Sequence, residues 1–160
     1  MANLDTGSKA PDFSLPASGD THISLSDYKG QKLVLYFYPK DNTPGCTKES
    51  CGFNESLNDF NSINTAVLGV SKDSLKSHEK FINKYDLKFP LVSDEEGTMC
   101  EDYGVWVEKS MYGRTYMGIQ RATFLIDENG VIEHIWPKVK VPGHVEDVLN
   151  VIKEKESKAA

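Results

Sequence analysis

The chain has 160 residues, 39% hydrophobic and 26% charged, which suits a single globular domain, 1–160, with a real core. Its 24 acidic residues outnumber 18 basic ones for a net charge of −6 without a basic stretch, which argues against nucleic acid or an anionic membrane as partner. No apolar run reaches the length of a membrane span, the first residues do not read as an export or transit signal, and three cysteines are an odd set for a disulfide-stapled fold; a cytoplasmic chain with reduced thiols is expected.

Residues 12–15 and 22–25 flank Ala17-Ser18-Gly19-Asp20 and read as an N-terminal β-hairpin. Residues 33–38 are almost continuously apolar, the pattern of a strand covered on both faces, and 66–70 repeat it. Between them Phe53, Leu57 and Phe60 recur at helical spacing, so 44–60 is expected as one helix with Pro44 at its first position. Strand, helix, strand in that order implies a right-handed crossover and a parallel pair.

A second helix should carry Leu75, Ile82 and Tyr85 on one face and begin near Asp73 or Ser74. A strand at 89–92 and a short helix at 97–103 follow. Residues 122–126 and 131–136 read as strands joined across Asn129-Gly130, a strong hairpin signal. Val145, Val148, Leu149 and Ile152 mark a closing amphipathic helix, and 154–160 a charged, frayed end. The sum is an α/β chain of thioredoxin-like form: an N-terminal hairpin extension, then a central mixed sheet flanked by helices.

The chemistry concentrates in Tyr36-Phe37-Tyr38-Pro39-Lys40-Asp41-Asn42-Thr43-Pro44-Gly45-Cys46-Thr47-Lys48-Glu49-Ser50-Cys51. Here a strand enters a turn, and Cys46 falls where a helix begins. The first helical turn offers free N–H groups and partial positive charge, so a cysteine there is expected as a thiolate, with a second thiol five residues on. A buried structural thiol is the plain alternative for Cys46, and its polar turn opposes that. Cys51, taken alone, reads more readily as packing, since helix cysteines are commonly core residues, and Cys100 is read as a packing thiol. Thr43 suits a helix cap. A zinc site fits poorly, because His22, His78, His134 and His144 are scattered and there is no Cys-x-x-Cys.

Pro39-x-x-x-Thr43-x-x-Cys46 resembles the active-site motif of the peroxiredoxins, thiol peroxidases on a thioredoxin fold. The stretch 36–51 is most similar to their bacterioferritin-comigratory, or Q-type, subgroup. The similarity extends through Ala10-Pro11-Asp12-Phe13, Leu91-Val92-Ser93-Asp94, Tyr103-Gly104-Val105-Trp106 and Arg121-Ala122-Thr123-Phe124-Leu125-Ile126-Asp127. It departs at Asn54, where many such chains carry a basic residue.

The resemblance implies that Cys46 attacks a hydroperoxide, that Thr43, the turn amides around Gly45 and Arg121 hold the peroxide oxygens, and that Pro39 shields the thiolate. It implies that Glu49 holds Arg121, that Cys51 condenses with the Cys46 sulfenic acid, and that thioredoxin or a similar dithiol restores the thiols. No metal or other cofactor is required, and similar proteins are often monomers. A thioredoxin-like disulfide reductase would want Cys-x-x-Cys, two residues shorter than 46–51. A cysteine phosphatase would want arginine where Gly52 stands. A redox sensor or adaptor remains the non-enzymatic alternative.

Overall fold

The computed structural model describes residues 4–159. Its spine is β3 (Lys32–Phe37), buried along its whole length. The alternation of a strand divides that run between two cores. Leu33, Leu35 and Phe37 enter one cluster, while Val34, Tyr36 and Tyr38 enter the other. Helix α1 (Pro44–Glu55), helix α2 (Leu57–Ser62) and β4 (Thr65–Ser71) follow, with β4 parallel to β3 from Lys32↔Thr65 to Phe37↔Val70.

The remaining elements complete a seven-stranded mixed sheet. The hairpin β1 (Ser14–Ala17) and β2 (Thr21–Ser24) docks on β5 (Leu91–Ser93), which lies parallel to β4. On the other side β8 (Ala122–Ile126) runs antiparallel to β3 and carries β9 (Ile132–Trp136) at the edge. The strand order is β2-β1-β5-β4-β3-β8-β9. Helices α3 (Leu75–Tyr85) and α5 (His144–Ala159) cover the Tyr36 face together with α1; helix α4 (Met99–Asp102) covers the Phe37 face. This is the expected thioredoxin-like arrangement with its N-terminal hairpin.

Four local expectations differ. The single helix expected over 44–60 is two, because helical geometry lapses at Ser56 (φ −97°, ψ 6°). The Asn54 side chain there leaves the helix, bonding Asp86 O at 3.1 Å and the Lys88 amide at 2.8 Å, and Ser and Asn favour such turns over helix interiors. Phe53 and Phe60 stay fully buried on either side of the lapse, rings 5.9 Å apart. Strand β5 starts at Leu91, not 89, since Pro90 has no N–H for the ladder.

Helix α5 continues through Ala159, so 154–159 are helical where a frayed end was expected. A two-stranded ribbon, β6 (Trp106–Met111) and β7 (Arg114–Ile119), was not anticipated. Its turn places Tyr112 (φ 51°) and Gly113 (φ 77°) both left-handed, the geometry of a type I′ hairpin, but tyrosine is not the Asn or Asp that announces one.

Candidate active site

The loop that leaves β3 carries the site. Tyr38 ends the strand run, Pro39 and Lys40 are exposed, and Asn42 takes a left-handed conformation (φ 59°) before Thr43 opens α1. Thr43 stands at the N-cap with extended backbone, but its hydroxyl donates back to Lys40 O at 2.9 Å. Its side chain therefore caps no amide of α1, contrary to the capping expectation, and the loop is closed instead. Pro44 is the first helical residue, which makes Gly45 and Cys46 the second and third. Their N–H groups precede the helical ladder and point towards the helix start.

Cys46 is 1% exposed. Its partner comes from across the sheet. Ala122 of β8 lies opposite Phe37 of β3, so Arg121 falls beside the strand end from which the Cys46 loop departs. Arg121 Nη2 donates to Cys46 Sγ at 3.3 Å. Gly45 explains how the guanidinium gets so close: a Cβ there would lie 3.3 Å from Arg121 Nη2, tighter than most side-chain contacts. Glu49, one turn on and fully buried, accepts from Arg121 Nη1 at 2.6 Å through Oε1. Its Oε2 has no hydrogen-bond partner among the described residues. Burial pushes the Glu49 carboxyl up to about 7, against the opposing pull of Arg121.

One side chain of the ribbon feels the charge of these groups. Burial, then the Arg121 charge, lowers the Lys109 ammonium pKa, while the Cys46 charge raises it; the β6 residue thus shares the field of the thiolate and its arginine. Tyr116 is cross-strand from Lys109, and Met111, Tyr112, Tyr116 and Met117 are the exposed large apolar side chains of the described residues. The ribbon escapes sequence reading because period-2 alternation in 106–119 mixes charged and apolar residues on both faces.

Cys51 lies on the same helix as Cys46, half-buried, and all three cysteines are free. Burial, with the Glu55 charge second, raises the Cys51 thiol. Cys100 is elsewhere: fully buried in the Phe37-face cluster, its amide bonded to Asp94 Oδ2 at 2.8 Å. Burial first and the Asp94 charge second hold that thiol well above its usual range. This is the packing thiol the sequence suggested.

A network the sequence did not reveal anchors the loop. Asp41 Oδ1 accepts from Tyr38 OH, and Oδ2 accepts from Ser77 Oγ at 2.7 Å and faces His78 Nδ1 at 2.7 Å. His78 Nε2 donates to Val92 O at 2.9 Å. The Asp41 amide donates to Asp73 Oδ2 at 2.8 Å, and Asn42 Oδ1 accepts from Tyr85 OH at 3.0 Å. Asp41, Asp73 and His78 are the one metal-like grouping among the described residues, but their converging atoms already serve these protein partners. No scattered histidine joins Cys46.

A buried cysteine sulfur beside a permanent cation, at the start of a helix, can attack an electrophile and stabilise the negative charge that leaves. Comparisons with known proteins agree with that capacity. The AhpC/TSA family profile matches residues 6–135. The chain is 54% identical over 147 residues to a bcp protein of Coxiella burnetii, covering 92% of this chain and 97% of that one. It is 45% identical to peroxiredoxin Bcp of Bacillus subtilis, covering 97% and 99%.

Among solved structures, a cysteine mutant of Xylella fastidiosa PrxQ superposes with TM-score 0.92 at 46% identity, covering 98% of this chain and 99% of that one. The Xanthomonas campestris bacterioferritin comigratory protein, described for its alkyl peroxide reduction activity, superposes with TM-score 0.88 at 43% identity, covering 94% and 99%. With its motif, fold and relatives in agreement, this chain belongs to the AhpC/TSA family, as a thiol peroxidase of the Bcp (Q-type) peroxiredoxins.

Proposed function

We propose that Cys46 is the peroxidatic nucleophile and Cys51 its resolving partner, on hydrogen peroxide and organic hydroperoxides. The observation that carries the reading is the 3.3 Å contact between Arg121 Nη2 and Cys46 Sγ at the start of α1. The Cys46 thiolate takes the distal peroxide oxygen, the O–O bond breaks, and water or an alcohol leaves after protonation; Cys46 becomes a sulfenic acid. Arg121 and the first-turn amides hold the charge on the departing oxygen. The Thr43 hydroxyl, now bonded to Lys40 O, turns to the bound peroxide. Pro39 fixes the loop beside it.

The Cys51 thiolate then displaces hydroxide from the sulfenic sulfur, which leaves as water, and a Cys46–Cys51 disulfide results. A thioredoxin-type dithiol returns both thiols by exchange. Every group invoked comes from one chain, which supports action as a monomer. A cytoplasmic setting, where thiols are kept reduced, suits such a cycle.

Cys46→Ser tests the reading. It replaces the thiolate by a hydroxyl too weakly acidic to attack unaided. Peroxide consumption with a dithiol reductant should vanish while circular dichroism stays native. Consumption at a wild-type rate would remove Cys46 from the mechanism.

A further inference from the structure

Helix α3 presents a row of like charge beside the active-site loop. Lys76, Lys80 and Lys84 stand at i, i+4 and i+8, so they share one face, and all three are exposed. None forms an ion pair with the described residues, in a chain whose acidic groups exceed its basic ones by six. Glu79 is turned away, accepting from the Gly19 amide at 2.9 Å. Lysines four apart repel and weaken an isolated helix, so the row is a local cost that an anionic partner would reverse.

The row edges the site. Lys76, Lys80 and Lys84 line a groove of about 530 Å³ together with Asp41 and Asn42, the lead-in to Cys46. Lys84 Nζ reaches Asn42 Oδ1 at 3.4 Å. Cys51 belongs to the same neighbourhood: Thr47, Cys51 and Asn54 follow one line of α1, and Asn54 bonds Asp86 O and the Lys88 amide just past α3. The neighbouring lysines Lys40 and Lys48 are also exposed.

We propose that this α3 face docks the protein that reduces the oxidised site, and that this partner is a dithiol protein with an acidic rim around its thiols. The proposal rests on the disulfide cycle above and adds where the reductant sits. The partner's thiolate attacks one sulfur of the Cys46–Cys51 disulfide, forming a mixed disulfide and releasing the other sulfur as thiolate. The partner's second thiolate then displaces the chain, leaving two thiols here and a disulfide on the partner. Two electrons pass to this chain, and both protons come from the dithiol and solvent. The lysine row speeds the first encounter and fixes its orientation.

The test compares wild type with Lys76→Glu/Lys80→Glu, using an acidic thioredoxin-type protein as one reductant and dithiothreitol as the other. Both side chains are exposed and outside the peroxide-binding groups, so the fold should survive, as a thermal melt would verify. At low salt kcat/KM for the protein reductant should fall about tenfold, and the gap should close as salt rises to about 0.5 M. Lys76→Gln/Lys80→Gln should fall in between. Dithiothreitol-supported turnover and the burst of Cys46 oxidation should be unchanged.

An unaltered kcat/KM with the protein reductant, or an equal fall with dithiothreitol, would overturn the docking proposal while the peroxidase reading stands. Absence of any dithiothreitol-supported turnover in the wild type would instead overturn that reading.

Discussion

Ser50→Ala should speed disulfide formation without touching the sulfur chemistry. Residues five apart on an α-helix are separated by ~7.5 Å of rise and diverge by ~140°. A disulfide needs Cα atoms within about 7 Å and converging side chains. Cys46 and Cys51 cannot bond while α1 is intact, so the proposed disulfide requires its first turns to open in each cycle. Ser50 lies inside that segment and holds it shut: its Oγ is 2.8 Å from Tyr36 OH, and both residues are fully buried.

Alanine leaves the Tyr36 hydroxyl unsatisfied only while α1 is closed and dry, a cost of about 1–3 kcal/mol. Its better helix propensity returns about 0.5 kcal/mol or less. The net, about 0.5–2.5 kcal/mol, raises the open population about 2–70-fold. Rapid-quench mass spectrometry after one equivalent of peroxide should show disulfide forming faster by that factor, with the sulfenic acid appearing at the wild-type rate. Amide exchange across 45–53 should be faster in reduced Ser50→Ala than in reduced wild type, and faster still in either oxidised protein. If the variant closes its disulfide no faster than wild type, α1 opening does not gate the step.

Arg121→Lys keeps the charge but loses the planar fork that contacts Cys46 and Glu49 together, and peroxide attack followed by stopped flow should slow by about 10²-fold. Cys100→Ser should cycle normally with a dithiol reductant and lose only stability in denaturant melts, since the thiol is packed in the opposite cluster. Glu49 titrates higher folded, at about 7, than the 4.5 of the free side chain. The folded protein therefore holds that proton more tightly, and this contribution to stability is full below about 4.5 and lost as pH rises through about 7. Denaturant unfolding of reduced Glu49→Gln between those values should show a flatter pH dependence than wild type.

The parts legible in the sequence are those fixed by neighbours along the chain. The apolar run at 33–38 identified β3 because burial on both faces leaves no polar position to confuse the pattern. The turn before Cys46 was legible from Pro44 and Thr43, and the start of α3 was narrowed to Asp73 or Ser74, of which Ser74 is the cap, accepting from the Ser77 amide at 3.1 Å. What stayed hidden depends on distant partners. Nothing near Asp41 says that His78, 37 residues on, will face it. Arg121, 75 residues from Cys46, is an ordinary strand-edge charge by itself, and only the resemblance singled it out. The need for glycine at 45 appears only once the guanidinium stands against it. The lapse at Ser56 escaped for the same reason, as Asn54 is drawn off by the end of α3.

That lapse acts as a firebreak. Cooperative melting travels along a regular helix, and a continuous helix over 44–60 would carry the disturbance from Cys46 towards β4. With α1 ending at Glu55, Phe60 keeps α2 seated in the core while the segment ahead of it comes apart. The chain thus sets an expendable segment directly against a permanent one, and a lesion in the first need not be repaired in the second. Each turn of the proposed disulfide cycle is then a small, local rearrangement from which the resting state returns without refolding the domain.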